Sequence, residues 1–82
     1  MTAAATLLSG GAALAQDYAD MSCDELWLAR NQIYADEGYC FKTERALVEF
    51  GHRCYPPYGR LNRAEQRAVR EIQYWEAQYG CD

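Results

Sequence analysis

The chain reads as a small all-α domain of three helices stapled by two disulfides, and three observations lead there. Ser22-Cys23-Asp24-Glu25 and Asn62-Arg63-Ala64-Glu65 both carry the capping-box pattern that opens a helix. After each, apolar residues recur at steps of three and four, and no segment sustains the alternation of a strand. Four cysteines, Cys23, Cys40, Cys54 and Cys81, stand in a chain of only 82 residues. For a short chain that is exported, an even count reads as a disulfide framework.

The elements follow in order. Residues 1–15, MTAAATLLSGGAALA, are small and apolar and end in Ala13-Leu14-Ala15, the small-x-small pattern that signal peptidase recognises. Cleavage there leaves Gln16 as the new N-terminus. No basic residue precedes Arg30, whereas signal peptides begin with Lys or Arg, so the expectation is that the n-region is truncated by a start codon assigned too late. The run is shorter than the about 20 residues a spanning helix needs, so no transmembrane anchor is expected after cleavage. Residues 16–22 read as a flexible segment.

The first helix starts at about Cys23, with Ser22 as N-cap, buries Leu26, Trp27, Ala29, Ile33 and Tyr34, and ends at Gly38. A shorter second helix runs from Thr43 as N-cap to about Gly51, with Ala46, Leu47 and Phe50 inward. Pro56-Pro57 and Gly59 exclude a continuous helix over residues 52–61. Asn62 caps the third helix, which buries Ala68, Val69, Ile72, Trp75 and Tyr79 and stops at Gly80. A long connector lets the third helix return antiparallel to the first. That favours the pairs Cys23 with Cys81 and Cys40 with Cys54, whereas a strict up-down-up bundle with short turns would favour Cys23 with Cys54 and Cys40 with Cys81.

The run Leu26-Trp27-Leu28-Ala29-Arg30-Asn31-Gln32-Ile33-Tyr34-Ala35-Asp36-Glu37-Gly38-Tyr39-Cys40-Phe41 resembles the signature of the YARHG domain, a small bacterial exported module. The resemblance continues through Phe50, Cys54-Tyr55-Pro56, Leu61-Asn62, Glu65, Val69, Ile72 and Glu76, covering about residues 23 to 81. The signature positions here are Trp27, Arg30, Asn31, Tyr34, Gly38, Tyr39 and Phe41. In place of the Arg and His of the family's pentapeptide stand Asp36 and Glu37. Tyr34, Ala35 and Gly38, which a helix end needs, remain, so no ligand role of the Arg-His pair carries over while the fold does. Cys54 stands where the family has Trp before Tyr-Pro. The resemblance implies an accessory role, since such domains occur attached to peptidases, but it brings no established chemistry.

Composition limits the partners. With 12 acids against 8 bases the net charge is −4, which argues against nucleic acid. The charge is unevenly distributed: Asp17, Asp20, Asp24, Glu25, Asp36 and Glu37 face only Arg30 in the first part, whereas Arg53, Arg60, Arg63, Arg67 and Arg70 face only Glu65 later. Arg63, Arg67 and Arg70 fall on one helix face, suited to phosphate or carboxylate groups, or to solvation with Arg67 paired to Glu71. In the loop Cys54–Gly59, Tyr58 lies past the prolines as a second candidate contact, while Tyr55 is expected to pack on Trp27 or Phe50. Arg30 is expected to stack beside Trp27 and Tyr34 and to pair with Glu65 or Glu76, and Asn31 to tie down the turn after the first helix.

No catalytic residue is assigned. His52 is the sole histidine, Ser22 is used as a cap, and Asp36 and Glu37, being adjacent, point apart on a helix. No C-x-x-C occurs, so neither a metal nor another cofactor is expected. The expectation is a periplasmic or secreted binding or interaction module, not an enzyme, whose partner is a cell-envelope component or a protein. The competing class is a structural envelope accessory without a small ligand.

Overall fold

The computed structural model describes residues 17–82; the expected signal peptide, residues 1–15, lies outside them. Among the described residues there are three α-helices and no strand: α1 Cys23–Asp36, α2 Glu44–Phe50 and α3 Arg63–Gln78. Both capping boxes form. Ser22 Oγ accepts from the Glu25 amide at 3.1 Å while the Ser22 amide donates to Glu25 Oε1 at 2.8 Å. Asn62 and Glu65 do the same at 2.8 and 2.9 Å. Thr43 Oγ1 caps α2 through the Ala46 amide.

The ends of α1 and α3 share one design. After α1 the Gly38 amide donates to the Ala35 carbonyl and the Tyr39 amide to the Tyr34 carbonyl, with Gly38 at φ +76°. After α3 the Gly80 amide donates to Ala77 and the Cys81 amide to Glu76, with Gly80 at φ +68°. Both are Schellman caps, in which a left-handed residue lets two amides satisfy carbonyls the helix leaves free. The apolar contact that accompanies such a cap is present after α1, where the Tyr34 and Tyr39 rings lie 5.5 Å apart. The signature therefore has a physical meaning: Tyr34, Gly38 and Tyr39 build the cap. Asp36 and Glu37 contribute only backbone to it, which explains why the cap forms without Arg and His.

α1 packs chiefly against α3, and α2 makes a smaller contact with α1. The core is small. Leu26 and Ile72 are wholly buried, Ala46 and Val69 nearly so, while Trp27, Ile33 and Trp75 stay partly accessible. Burial of one Leu or Ile yields about 1.5–3 kcal/mol, so these few side chains leave little surplus over chain entropy. Two disulfides supplement them. Cys23, the first residue of α1, bonds to Cys81, just past α3, with Cα atoms 5.5 Å apart, and Cys40 bonds to Cys54 at 4.9 Å. The connectivity is that of the antiparallel arrangement.

Residues 17–22, expected to be flexible, include a 3-10 turn, Tyr18–Asp20, that packs on α3. The Tyr79 hydroxyl donates to the Ala19 carbonyl there, so Tyr79, expected in the core, instead spends its ring on the surface beside Trp75.

Candidate functional site

The signature residues of α1 act mainly as a frame. Arg30 Nε and Nη2 reach both carboxylate oxygens of Glu76, at 2.9 and 3.0 Å, and join α1 to α3 by a two-point, charge-assisted contact. Of the two acids expected as its partner, Glu65 is excluded by its place at the other end of α3, where it completes the Asn62 cap. No cation–π contact joins Arg30 to Trp27 among the described residues. That ring is covered by Arg45, whose guanidinium carbon lies 3.8 Å from the centroid, with Nη2 held by Asp24 at 3.1 Å. Asn31 corrects a second expectation: its Nδ2 donates to the Trp27 carbonyl one turn back along α1, so it does not reach the following turn.

The turn after α1 is secured by the proline loop. The Tyr55 amide donates to the Gly38 carbonyl at 3.1 Å and the Gly59 amide to Glu37 at 2.8 Å. The Tyr55 hydroxyl reaches the Ala35 and Asp36 carbonyls at 3.3 and 3.4 Å. Beside it Cys40 is bonded to Cys54. The loop thus caps the negative end of the α1 dipole with donors. Tyr55, expected against Trp27 or Phe50, lies against Gly38, where a Cβ would collide with its carbonyl oxygen.

A carboxyl pair joins the same end to the start of α3. Hydrogen bonding with Glu65 raises the Glu37 carboxyl above its ordinary value, with some help from desolvation and from the charges of Glu65 and Asp36. The same bond, with the Asn62 amide, lowers Glu65. The two acids thus influence each other although they are far apart in sequence, a coupling that no local pattern announces.

Arg63, Arg67 and Arg70 are all exposed. At about 100° per residue they fall opposite Val69 and Ile72, away from α1. Among the described residues the ion pairs are Arg30 with Glu76 and Arg45 with Asp24, so the expected pair of Arg67 with Glu71 does not form and the three arginines carry free charge. Tyr58 is exposed with φ +56°, and no hydrogen bond or cation–π contact ties it to the arginines. The sequence-read surface is therefore one continuous arginine face plus a separate tyrosine.

Two depressions of about 370 Å³ each were not anticipated. They share Tyr39: one lies over Arg30, Asn31 and Tyr34, the other between α1, α2 and the proline loop. His52 sits apart, exposed near Leu47 and Val48. No group of three or more His, Cys, Asp or Glu side chains suited to a metal occurs among the described residues, and no described helix is long and apolar enough to cross a membrane.

The family model described as the YARHG domain matches residues 2–77. The chain belongs to the YARHG domain family. The match begins earlier than the resemblance read from residues 23 to 81, overlapping the expected signal segment, and stops before Gly80 and Cys81. No curated protein and no solved structure matches the chain. In this YARHG domain the backbone of the degenerate pentapeptide forms a helix cap.

Proposed function

We propose that this YARHG domain is an exported, non-catalytic binding module of the bacterial cell envelope that holds phosphate or carboxylate groups of an envelope component or protein partner on the arginine face of α3. The observation that carries the reading is the contrast in how charges are used. Arg30 and Arg45 are each spent on an acid, whereas Arg63, Arg67 and Arg70 stand in line, outward and without an acid within ion-pair distance among the described residues. Guanidinium groups suit planar two-point contact with carboxylate and phosphate. Two disulfides support a periplasmic or secreted setting, because such bonds persist in oxidising compartments. A non-catalytic role is supported by the use of Ser22 as a cap and of every cysteine in a disulfide.

Sedimentation with purified peptidoglycan, whose peptide stems bear carboxylates, tests the proposal. Binding should fall with added salt. In Arg67→Glu it should weaken about tenfold or more, since one charge-assisted hydrogen bond is worth about 1.5–3 kcal/mol. Because Arg67 is exposed, the variant should melt with the wild type. Salt-insensitive binding, or no binding together with co-purification of another protein that tolerates Arg67→Glu, would replace the proposal with a structural accessory role.

A further inference from the structure

The depression between α1, α2 and the proline loop is built differently from the arginine face. Its floor is aromatic. Tyr39 meets Phe41 edge to face at 4.9 Å, Phe41 stacks on Phe50 at 5.0 Å, and Tyr55 closes the far side. Tyr39 and Tyr55 remain 37% and 40% exposed although both are anchored, Tyr39 against Gly59 and Tyr55 by its hydroxyl to two carbonyls. Rings held in place lose little side-chain entropy when a ligand stacks on them.

The rim is polar and planar. Gln32 Nε2 donates to Asp36 Oδ1 at 2.9 Å, which orients both groups, while Glu49 and Arg53 stand on the other walls. The Arg53 guanidinium lies 6.0 Å from the Tyr55 centroid. Carboxylate, amide and guanidinium groups each bond two adjacent hydroxyls of a ring at once. The charges also discriminate. Asp36 and Glu49 disfavour an anion, and Arg53 disfavours a cation. What remains favoured is a neutral, hydroxyl-rich ring with one face of C–H groups for the aromatic floor. The volume of about 370 Å³ lies at the lower end of small-ligand sites.

From this geometry we infer that the groove floored by Tyr39, Phe41, Phe50 and Tyr55 binds a neutral pyranose unit of a carbohydrate. The site is separate from the arginine face: it is formed by α1, α2 and the loop, and its affinity should not depend on salt.

The test is amide-resolved NMR titration of the oxidised protein with neutral trisaccharides, the β-1,4-linked trimers of N-acetylglucosamine and of glucose, alongside inorganic phosphate and tetramethylammonium. At least one trisaccharide should give saturable shifts at Phe41, Phe50 and Tyr55, unchanged by added salt and retained in Arg67→Glu. Tyr55→Ala should weaken it about tenfold through loss of a stacked ring. Since Tyr55 also caps α1, the second variant is Glu49→Ala: Glu49 is exposed and makes no hydrogen bond or ion pair among the described residues, so this variant should bind several-fold more weakly with an unchanged melting curve. The inference is overturned if neither trisaccharide shifts these amides at millimolar concentration, if phosphate or tetramethylammonium saturates them instead, or if Glu49→Ala binds like the wild type.

Discussion

Replacing Arg30 by Met keeps much of the apolar stem and removes only the guanidinium, which leaves the Glu76 carboxylate without its two-point partner. The side chains of Arg30 and Glu76 are 24% and 13% exposed, so the pair is neither a surface nor a fully buried one. Exposed pairs contribute about 0–1 kcal/mol, and breaking a buried pair costs about 3–5 kcal/mol. A loss of about 2 kcal/mol lies between those limits. Arg30→Ala should lose at most about 1 kcal/mol more, the share of the stem. For a domain of this size about 2 kcal/mol lowers the melting temperature by about 8–16 °C. Urea unfolding followed by far-ultraviolet circular dichroism measures these losses. A double-mutant cycle of Arg30→Met with Glu76→Leu then isolates the pair, and its coupling energy should be about 1–2 kcal/mol. A coupling below about 0.5 kcal/mol, or an Ala variant much worse than the Met variant, would mean that stem packing rather than the ion pair joins α1 to α3.

Three further outcomes follow from the same structure. Removing Cys23–Cys81, which closes a separation of 58 residues, should cost about 4 kcal/mol by loop entropy, against about 3 kcal/mol for Cys40–Cys54 across 14, as urea midpoints of the paired Ala variants would show. Gly38→Ala should destabilise more than Gly80→Ala: both need a left-handed residue at about 1–2 kcal/mol, but only at Gly38 does the new Cβ meet the Tyr55 carbonyl, whereas open space surrounds Gly80. For the acid pair, the raised Glu37 carboxyl contributes stability that is present at low pH and lost as pH rises through its folded value, while the lowered Glu65 contributes stability above 4.5 that is lost as pH falls through its own. As pH rises through the raised Glu37 value, therefore, its proton leaves and the wild type should lose stability relative to Glu37→Gln, whose amide keeps donating; equal pH profiles in melting scans from 4.5 to neutrality would remove this interaction.

Much of the fold was legible because it rests on local chemistry. Ser22 with Glu25, and Asn62 with Glu65, announce their helices within four residues, and Gly38 and Gly80 announce the ends. The disulfide pairing was legible as soon as α3 was taken to run back along α1, since that alone sets Cys81 beside Cys23. The misreadings share one cause. Where a side chain has several neighbours within reach, tertiary packing decides among them: Arg45 rather than Arg30 covers Trp27, Tyr55 caps α1 instead of packing on Trp27, and Asn31 turns back along its own helix. The arginine face was visible as a period, because an exposed helix face depends only on spacing. The aromatic groove was not, since Tyr39, Phe41, Phe50 and Tyr55 come from three segments whose meeting depends on the loop docking on Gly38.

The central expectation is that this disulfide-locked helical domain is exported. Intact mass and non-reducing peptide mapping of the protein recovered from the cell envelope or medium test this most directly. The expected result is a chain beginning at Gln16, with no cysteine alkylated before reduction, four alkylated after it, and linked peptides joining Cys23 to Cys81 and Cys40 to Cys54. An uncleaved chain in the cytoplasm with four free thiols would contradict it.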